Sequence, residues 1–263
     1  MNRLLEKVAI VTGAGQGIGR GIARRFASEG AKTIIAEINS EIGAATAKET
    51  TKDFGVQSLF VKTDAGDKDS IRAMVDQTVS AFGRVDILVN NAWAGIGHAR
   101  VEHMTDAHVN NAAKFGLRGV LWAMQAVFPH MRKNGGGRII TMCSLNGVNA
   151  HLYTADYNAA KEAARALTRT AAREWARHNI LANVICPAAA TPAYIAFRDA
   201  APENAAALLK QNPIGRMGDP EQDIGGVALF LASEDSCYVT GNTIFADGGS
   251  HINGVSWDPG LPD

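Results

Sequence analysis

Cysteine is scarce in this sequence. Cys143, Cys186 and Cys237 are the only three in 263 residues, widely spaced and without a CxxC pair. A disulfide framework and a thiolate zinc site are thereby excluded, and a reducing, cytoplasmic setting is expected. Excess charge is missing too: Lys plus Arg and Asp plus Glu number 26 each. No net field draws the chain to nucleic acid or an anionic membrane, so a small neutral substrate is the better match. The seven histidines show no metal-ligand spacing, and no metal is expected. Long apolar runs are also absent. The longest uncharged stretch, 179–197, is interrupted by Asn179, Asn183, Pro187, Thr191 and Pro192, and reads as a buried strand running into a loop. The opening MNRLLEKVAIVTGAG has too short an apolar run for an export signal.

What is present is a rhythm. Apolar, β-branched runs recur at Lys7 to Thr12, Thr33 to Ala36, Ser58 to Lys62, Val85 to Val89, Arg138 to Thr141, Ile180 to Ile185 and Thr243 to Ala246. Most are separated by stretches of helical period long enough for crossovers. Strands that do not alternate with polar residues suit a parallel sheet covered on both faces. The expected fold is a single α/β domain over 1–263, a doubly wound parallel sheet of about seven strands with helices on both faces. No repeats or linkers divide it. One segment breaks the rhythm: 187–218, rich in Ala and Pro, follows a strand's carboxyl end. Open α/β sheets bind ligands there, so it is expected to be a substrate lid; the plain alternative is a surface helical hairpin.

The first strand leads into Thr12-Gly13-Ala14-Gly15-Gln16-Gly17-Ile18-Gly19, and an amphipathic helix follows. Glycines let the backbone turn sharply and approach a pyrophosphate, whose charge the helix N-terminus stabilises. The candidate cofactor residues here are Gly13, Gln16, Gly17, Ile18 and Gly19. The second strand ends in Glu37, which can accept hydrogen bonds from both ribose hydroxyls and would repel a 2′-phosphate. NAD is therefore expected rather than NADP. A solvated strand end is the alternative for Glu37.

In TADYNAAKEAAR, residues 154–165, Tyr157 stands four places before Lys161. On a helix those positions share a face. A cation beside a phenol stabilises the phenolate, which makes the pair a candidate general base. The same spacing also arises by chance in packing helices.

Several motifs in order then resemble the short-chain dehydrogenase/reductase family, from Lys7 to about Ile252. They are TGAGQGIG at 12–19, Glu37, Asp64, LVNNA at 88–92, Ser144 thirteen residues before YNAAK at 157–161, and TGNTIFADGG at 240–249. The resemblance implies that Tyr157 exchanges a proton with the substrate oxygen and that Ser144 hydrogen-bonds that oxygen. Lys161 would hold the nicotinamide ribose and assist the tyrosine. Asp64 would lie near the adenine, Asn90 and Ala92 beside the cofactor, and Pro187 and Thr191 near the nicotinamide. The cofactor supplies the redox chemistry. Family members commonly form homotetramers through helices corresponding to those around Ala113 to Met131 and Tyr157 to His178, and the same is expected here.

Three positions depart from the family pattern. Trp93 replaces a glycine near the nicotinamide, as a pocket wall or a core aromatic. Gly116 replaces an asparagine that helps to place a relay water; its backbone carbonyl at an irregular helix turn is expected to keep catalysis intact. Ala188 replaces a glycine after the sixth strand. These departures resemble a subgroup of bacterial hydroxysteroid and cyclic-alcohol dehydrogenases. The candidate substrate contacts are Trp93, Ser144, Asn146, Tyr153 and Tyr194, with Leu145, Ala188 to Ala190 and Phe197 on the same wall. A mostly apolar wall suits a bulky hydrophobic alcohol or ketone. The expected function is therefore NAD-dependent interconversion of a secondary alcohol and its ketone on a cyclic or steroid-like skeleton. The alternatives are a 3-oxoacyl-carrier-protein-type ketoreductase and a weakly active nucleotide-binding protein. The tail 252–263, with Trp257, is expected either to cover a neighbouring subunit's pocket or to hang loose.

Overall fold

The computed structural model describes residues 2–252. The proposed tail contact, from 253 on, lies outside the described residues. Seven strands form one sheet: β1 Val8–Thr12, β2 Lys32–Glu37, β3 Ser58–Lys62, β4 Ile87–Asn90, β5 Gly137–Met142, β6 Ile180–Pro187 and β7 Thr243–Ala246. Their spatial order is β3-β2-β1-β4-β5-β6-β7, with every neighbouring pair parallel. The order reverses between β1 and β4, and a ligand crevice opens at the carboxyl ends on either side of such a reversal.

The helices are α1 Gly17–Ser28, α2 Ser40–Phe54, α3 Lys68–Phe82, α4 Asp106–Ala112, α5 Val120–Lys133, α6 Leu145–Asn149, α7 Ala155–Trp175, α8 Pro192–Ala200, α9 Pro202–Lys210 and α10 Gly225–Ala232. Alternation along β1 sends Ile10 to one face of the sheet and Ala9 and Val11 to the other. Each face carries its own buried cluster. On the first, Ile10 shares a cluster with Met74 of α3, Val127 and Met131 of α5 and Ala171 of α7. On the second, Val11 meets Ile22 and Phe26 of α1 and Leu229 of α10. Phe26 is fully buried, and truncating such a side chain to alanine costs about 3–5 kcal/mol.

Two details position the site. Between α4 and α5 the chain winds as a π-helix over Ala113–Gly119, so the irregular turn expected at Gly116 is present. After β6, the stretch read as a strand running into a loop passes through the non-helical residues 188–191 into α8, whose first turn Thr191 caps by accepting from the Tyr194 amide at 3.2 Å. Within 187–218, α8 and α9 pack on each other above the carboxyl edge of the sheet. No helix among the described residues is long and apolar enough to cross a membrane.

Candidate active site

A cavity of about 1110 Å³ opens at the carboxyl ends of β1, β4, β5 and β6. Ser144, Tyr157 and Lys161 all line it, although Ser144 follows β5 and the other two stand on α7. Lys161 is only 7 % exposed. Its Nζ donates to the Met142 carbonyl at 2.9 Å, and the Cys143 thiol donates back to the Lys161 carbonyl at 3.2 Å. These two bonds lock α7 to the end of β5. The Lys161 ammonium lies 5.5 Å from the centroids of both the Trp93 and Tyr157 rings, a separation at which a cation is attracted to a ring face. The indole and phenol rings meet edge-on, 5.0 Å apart at 79°. Ser144 caps α6 by accepting from the Asn146 amide at 3.1 Å, which leaves its hydroxyl proton free to donate into the cavity.

Burial pushes the Cys143 thiol up to about 12 and the Cys186 thiol up to about 11. Neither offers a nucleophile near neutrality.

The glycine loop follows β1. Gly13 takes a positive φ of 64°, and a β-carbon there would lie 3.0 Å from the Ala92 α-carbon, so only glycine lets the loop pass so close to the end of β4. Asn91 secures this contact through its Nδ2, which donates to the carbonyls of Thr12 at 2.9 Å and Gly13 at 3.2 Å. The amides of Asn91 and Ala92 both donate to the Thr12 hydroxyl. Sequence reasoning gave Asn91 no role; its place beside Asn90 in a paired-asparagine motif was the available signal. The first turn of α1 carries no acidic residue and its Gln16 cap makes no side-chain bond. The amides at the start of α1, left without a side-chain cap, fit a dinucleotide pyrophosphate.

Glu37 is buried, 8 % exposed, and not a solvated strand end. Its carboxylate accepts from the amides of Gly15 at 3.1 Å, Ile38 at 2.9 Å and Asn39 at 3.1 Å. A carboxylate offers about four acceptor sites, so capacity remains for a ribose hydroxyl. Asp64 accepts from the Gly66 amide at 2.8 Å and pairs with Lys114 at 3.4 Å. Asn90 is buried beside Thr141. Ile18, Pro187 and Thr191 line the large cavity, with Thr191 against Gly17.

Of the candidate substrate contacts, Trp93, Ser144, Asn146 and Tyr194 line the cavity, as do Leu145, Ala188, Ala189 and Phe197. Tyr153 is not among the lining residues. A positive φ of 65° turns it outward, where it is 48 % exposed beneath the Arg100 guanidinium. His151 lines the cavity instead. Beside the indole a small pocket of about 20 Å³ touches Asn90, Phe115, Gly116 and Lys161, room for about one water. Among the described residues no cluster of His, Cys, Asp or Glu could hold a metal ion.

Comparison with known proteins identifies the family. A family model described as enoyl-(acyl carrier protein) reductase matches residues 13–251. A 12alpha-hydroxysteroid dehydrogenase from a Clostridium species is 34 % identical over 249 residues, covering 92 % of this chain and 96 % of that protein. A 3-oxoacyl-[acyl-carrier-protein] reductase from Thermotoga maritima is 36 % identical, covering 94 % and 98 %. A solved 7 alpha-hydroxysteroid dehydrogenase, complexed with NADH and 7-oxo glycochenodeoxycholic acid, superposes with a TM-score of 0.88 at 36 % identity, covering 94 % of this chain and 95 % of that one. The chain therefore belongs to the short-chain dehydrogenase/reductase family and is an oxidoreductase of the short-chain alcohol dehydrogenase/ketoreductase type.

Proposed function

We propose that the protein interconverts a secondary alcohol and its ketone with NAD, on a bulky cyclic or steroid-like skeleton. The observation that carries this reading is the convergence of Ser144, Tyr157 and Lys161 on one cavity of about 1110 Å³ whose lid side is largely apolar. Bound along the glycine loop, NAD supplies the hydride acceptor for alcohol oxidation and, reduced, the donor for the reverse. Tyr157 takes the proton from the substrate hydroxyl, and the Lys161 ammonium favours negative charge on the phenol oxygen. The Ser144 hydroxyl donates to the substrate oxygen and stabilises it as negative charge develops.

Gly13, Gln16, Gly17, Ile18 and Gly19 form the pyrophosphate cradle in this reading. Glu37 takes the adenosine ribose, Asp64 flanks the adenine, Asn90 and Ala92 follow the chain of the cofactor, and Pro187 and Thr191 meet the nicotinamide end. Trp93, Asn146 and Tyr194 contact the substrate, with 187–218 as the lid. Tyr153 has no part in it. Helices α5 and α7 form the interface of a homotetramer, which light scattering tests directly.

The decisive experiment follows absorbance of the reduced cofactor with NAD and NADP over steroid, cyclic and aliphatic alcohols, and in reverse with an acetoacetyl thioester. Turnover of cyclic or steroid alcohols with NAD, lost in Tyr157→Phe, supports the reading. Turnover confined to the thioester and NADPH favours the 3-oxoacyl reductase role that one relative bears.

A further inference from the structure

The cavity contains one carboxylate that this reaction does not use. Asp156 stands in the first turn of α7, one residue before Tyr157, and lines the cavity while only 5 % exposed. Five acidic residues are buried among the described residues: Glu29, Glu37, Asp86, Asp156 and Asp247. Four have partners. Glu29 accepts from the Arg3 amide, Glu37 from three amides, Asp86 from the Val8 amide and Arg84, and Asp247 from the Gly249 amide and His251. Asp156 alone accepts from no described group, and no cationic side chain pairs with it.

The Asp156 oxygens are not sealed within the protein, and a ligand that covered them without offering a donor would leave the carboxylate unpaired at a cost that a donor-bearing ligand avoids. Asp156 lines the cavity that the substrate of the proposed reaction would enter. The neighbouring polar groups do not compete for it: the Thr154 hydroxyl is bonded to Asn158 and to the His151 carbonyl, and Lys161 is held by Met142.

We propose that Asp156 is a specificity-determining residue that receives a second hydrogen-bond donor of the substrate, a hydroxyl or an ammonium group carried on the same skeleton as the reacting carbinol. This rests on the alcohol-oxidation reading above and deepens it. The preferred substrates are diols or amino alcohols, because a skeleton with only the reacting oxygen would enclose the carboxylate and leave it unpaired. A site built to bond a polar group discriminates strongly against the analogue that lacks it.

The test compares cyclohexanol with vicinal and more distant cyclohexanediols and aminocyclohexanols, in the wild type, Asp156→Asn and Asp156→Leu. Rates with NAD are read as kcat/KM ratios between substrates, and ligand binding is read by calorimetry. The wild type is expected to prefer its best diol or amino alcohol by about tenfold or more. Asp156→Leu loses that preference. Asp156→Asn, which still accepts but carries no charge, keeps the preference for a hydroxyl and loses that for an ammonium. An acid in the first turn also favours the helix dipole. If that were its whole role, both variants would change all substrates by one factor, and unaltered ratios would overturn the proposal, as would a wild type without preference. Should the wild type turn over nothing on the panel, the oxidation reading fails first. Calorimetry then decides on Asp156: donor-bearing ligands binding better to the wild type than to Asp156→Leu uphold the assignment, and equal binding overturns it.

Discussion

Gly116 lies so close to Ala160 that a β-carbon built on it would fall 2.7 Å from the Ala160 α-carbon and 2.8 Å from its carbonyl oxygen. The π-helical turn over Ala113–Gly119 thus rests directly on α7, one residue before Lys161. An asparagine, the residue the family resemblance implies there, has no room in this packing. Gly116→Asn is expected to lower stability by about 1–3 kcal/mol or more through overpacking and to bring no rise in kcat. Thermal unfolding and steady-state rates check this; a variant as stable as the wild type would mean that α7 yields freely at Ala160.

In the proposed reading Glu37 couples cofactor choice to loop shape, because one oxygen holds the Gly15 amide and the other holds the start of the β2–α2 turn. Glu37→Gln keeps one acceptor and removes the charge. A unit charge near a 2′-phosphate carries several kcal/mol at the effective dielectric of a protein surface. The proposed discrimination against NADP is therefore expected to shrink by about tenfold or more while NAD binds about tenfold more weakly. Calorimetric Kd values for both dinucleotides measure it, and an unchanged ratio would remove the charge argument.

Much of this was readable in the sequence, for identifiable reasons. Short β-branched, apolar runs separated by helical stretches mark the strands of a crossover sheet, so Ser58–Lys62 and Thr243–Ala246 were located to the residue although both are edge strands only partly buried. That Tyr157 and Lys161 share one face of a helix was legible because residues four apart on a helix lie on the same side. What was not legible depends on backbone geometry or on empty space. The left-handed turn at Tyr153 reverses its direction, and nothing in residue type signals it. Glu37 binding the amide of Gly15 joins residues 22 apart. The exceptional status of Asp156 appears only when the partners of every other buried acid are known.

Trp93 braces Tyr157 and Lys161, the pair proposed to react. Its ring meets Tyr157 edge-on at 5.0 Å and Phe115 at 6.3 Å, and the Lys161 ammonium faces it at 5.5 Å. An aromatic pair and a cation–π contact carry about 0.5–1.5 and 0.5–2 kcal/mol respectively. Trp93→Gly is expected to cut kcat about tenfold by loosening both side chains, while Trp93→Phe, which keeps a ring face, stays within about threefold. Steady-state kinetics on one turned-over alcohol separates the two; equal losses in both variants would assign the indole to pocket shape alone.

The buried thiols set an alkaline limit on stability. Burial raises Cys143 from 9.0 to about 12 and Cys186 from 9.0 to about 11, so the folded state keeps these protons when the unfolded chain has released them. The stabilisation is complete below about pH 9, the unfolded value, and is lost as pH rises through that window toward the folded values. Urea midpoints are thus expected to fall progressively between about pH 9 and 11. Cys143→Ser loses the thiol packing and is less stable at pH ~8, yet its hydroxyl does not titrate there, so its midpoint should fall less steeply with pH. The exposed Cys237 should react with iodoacetamide in the native protein while the other two resist. Alkylation of Cys143 without unfolding would show that α7 opens from β5, and with it the bond that holds Lys161 to Met142.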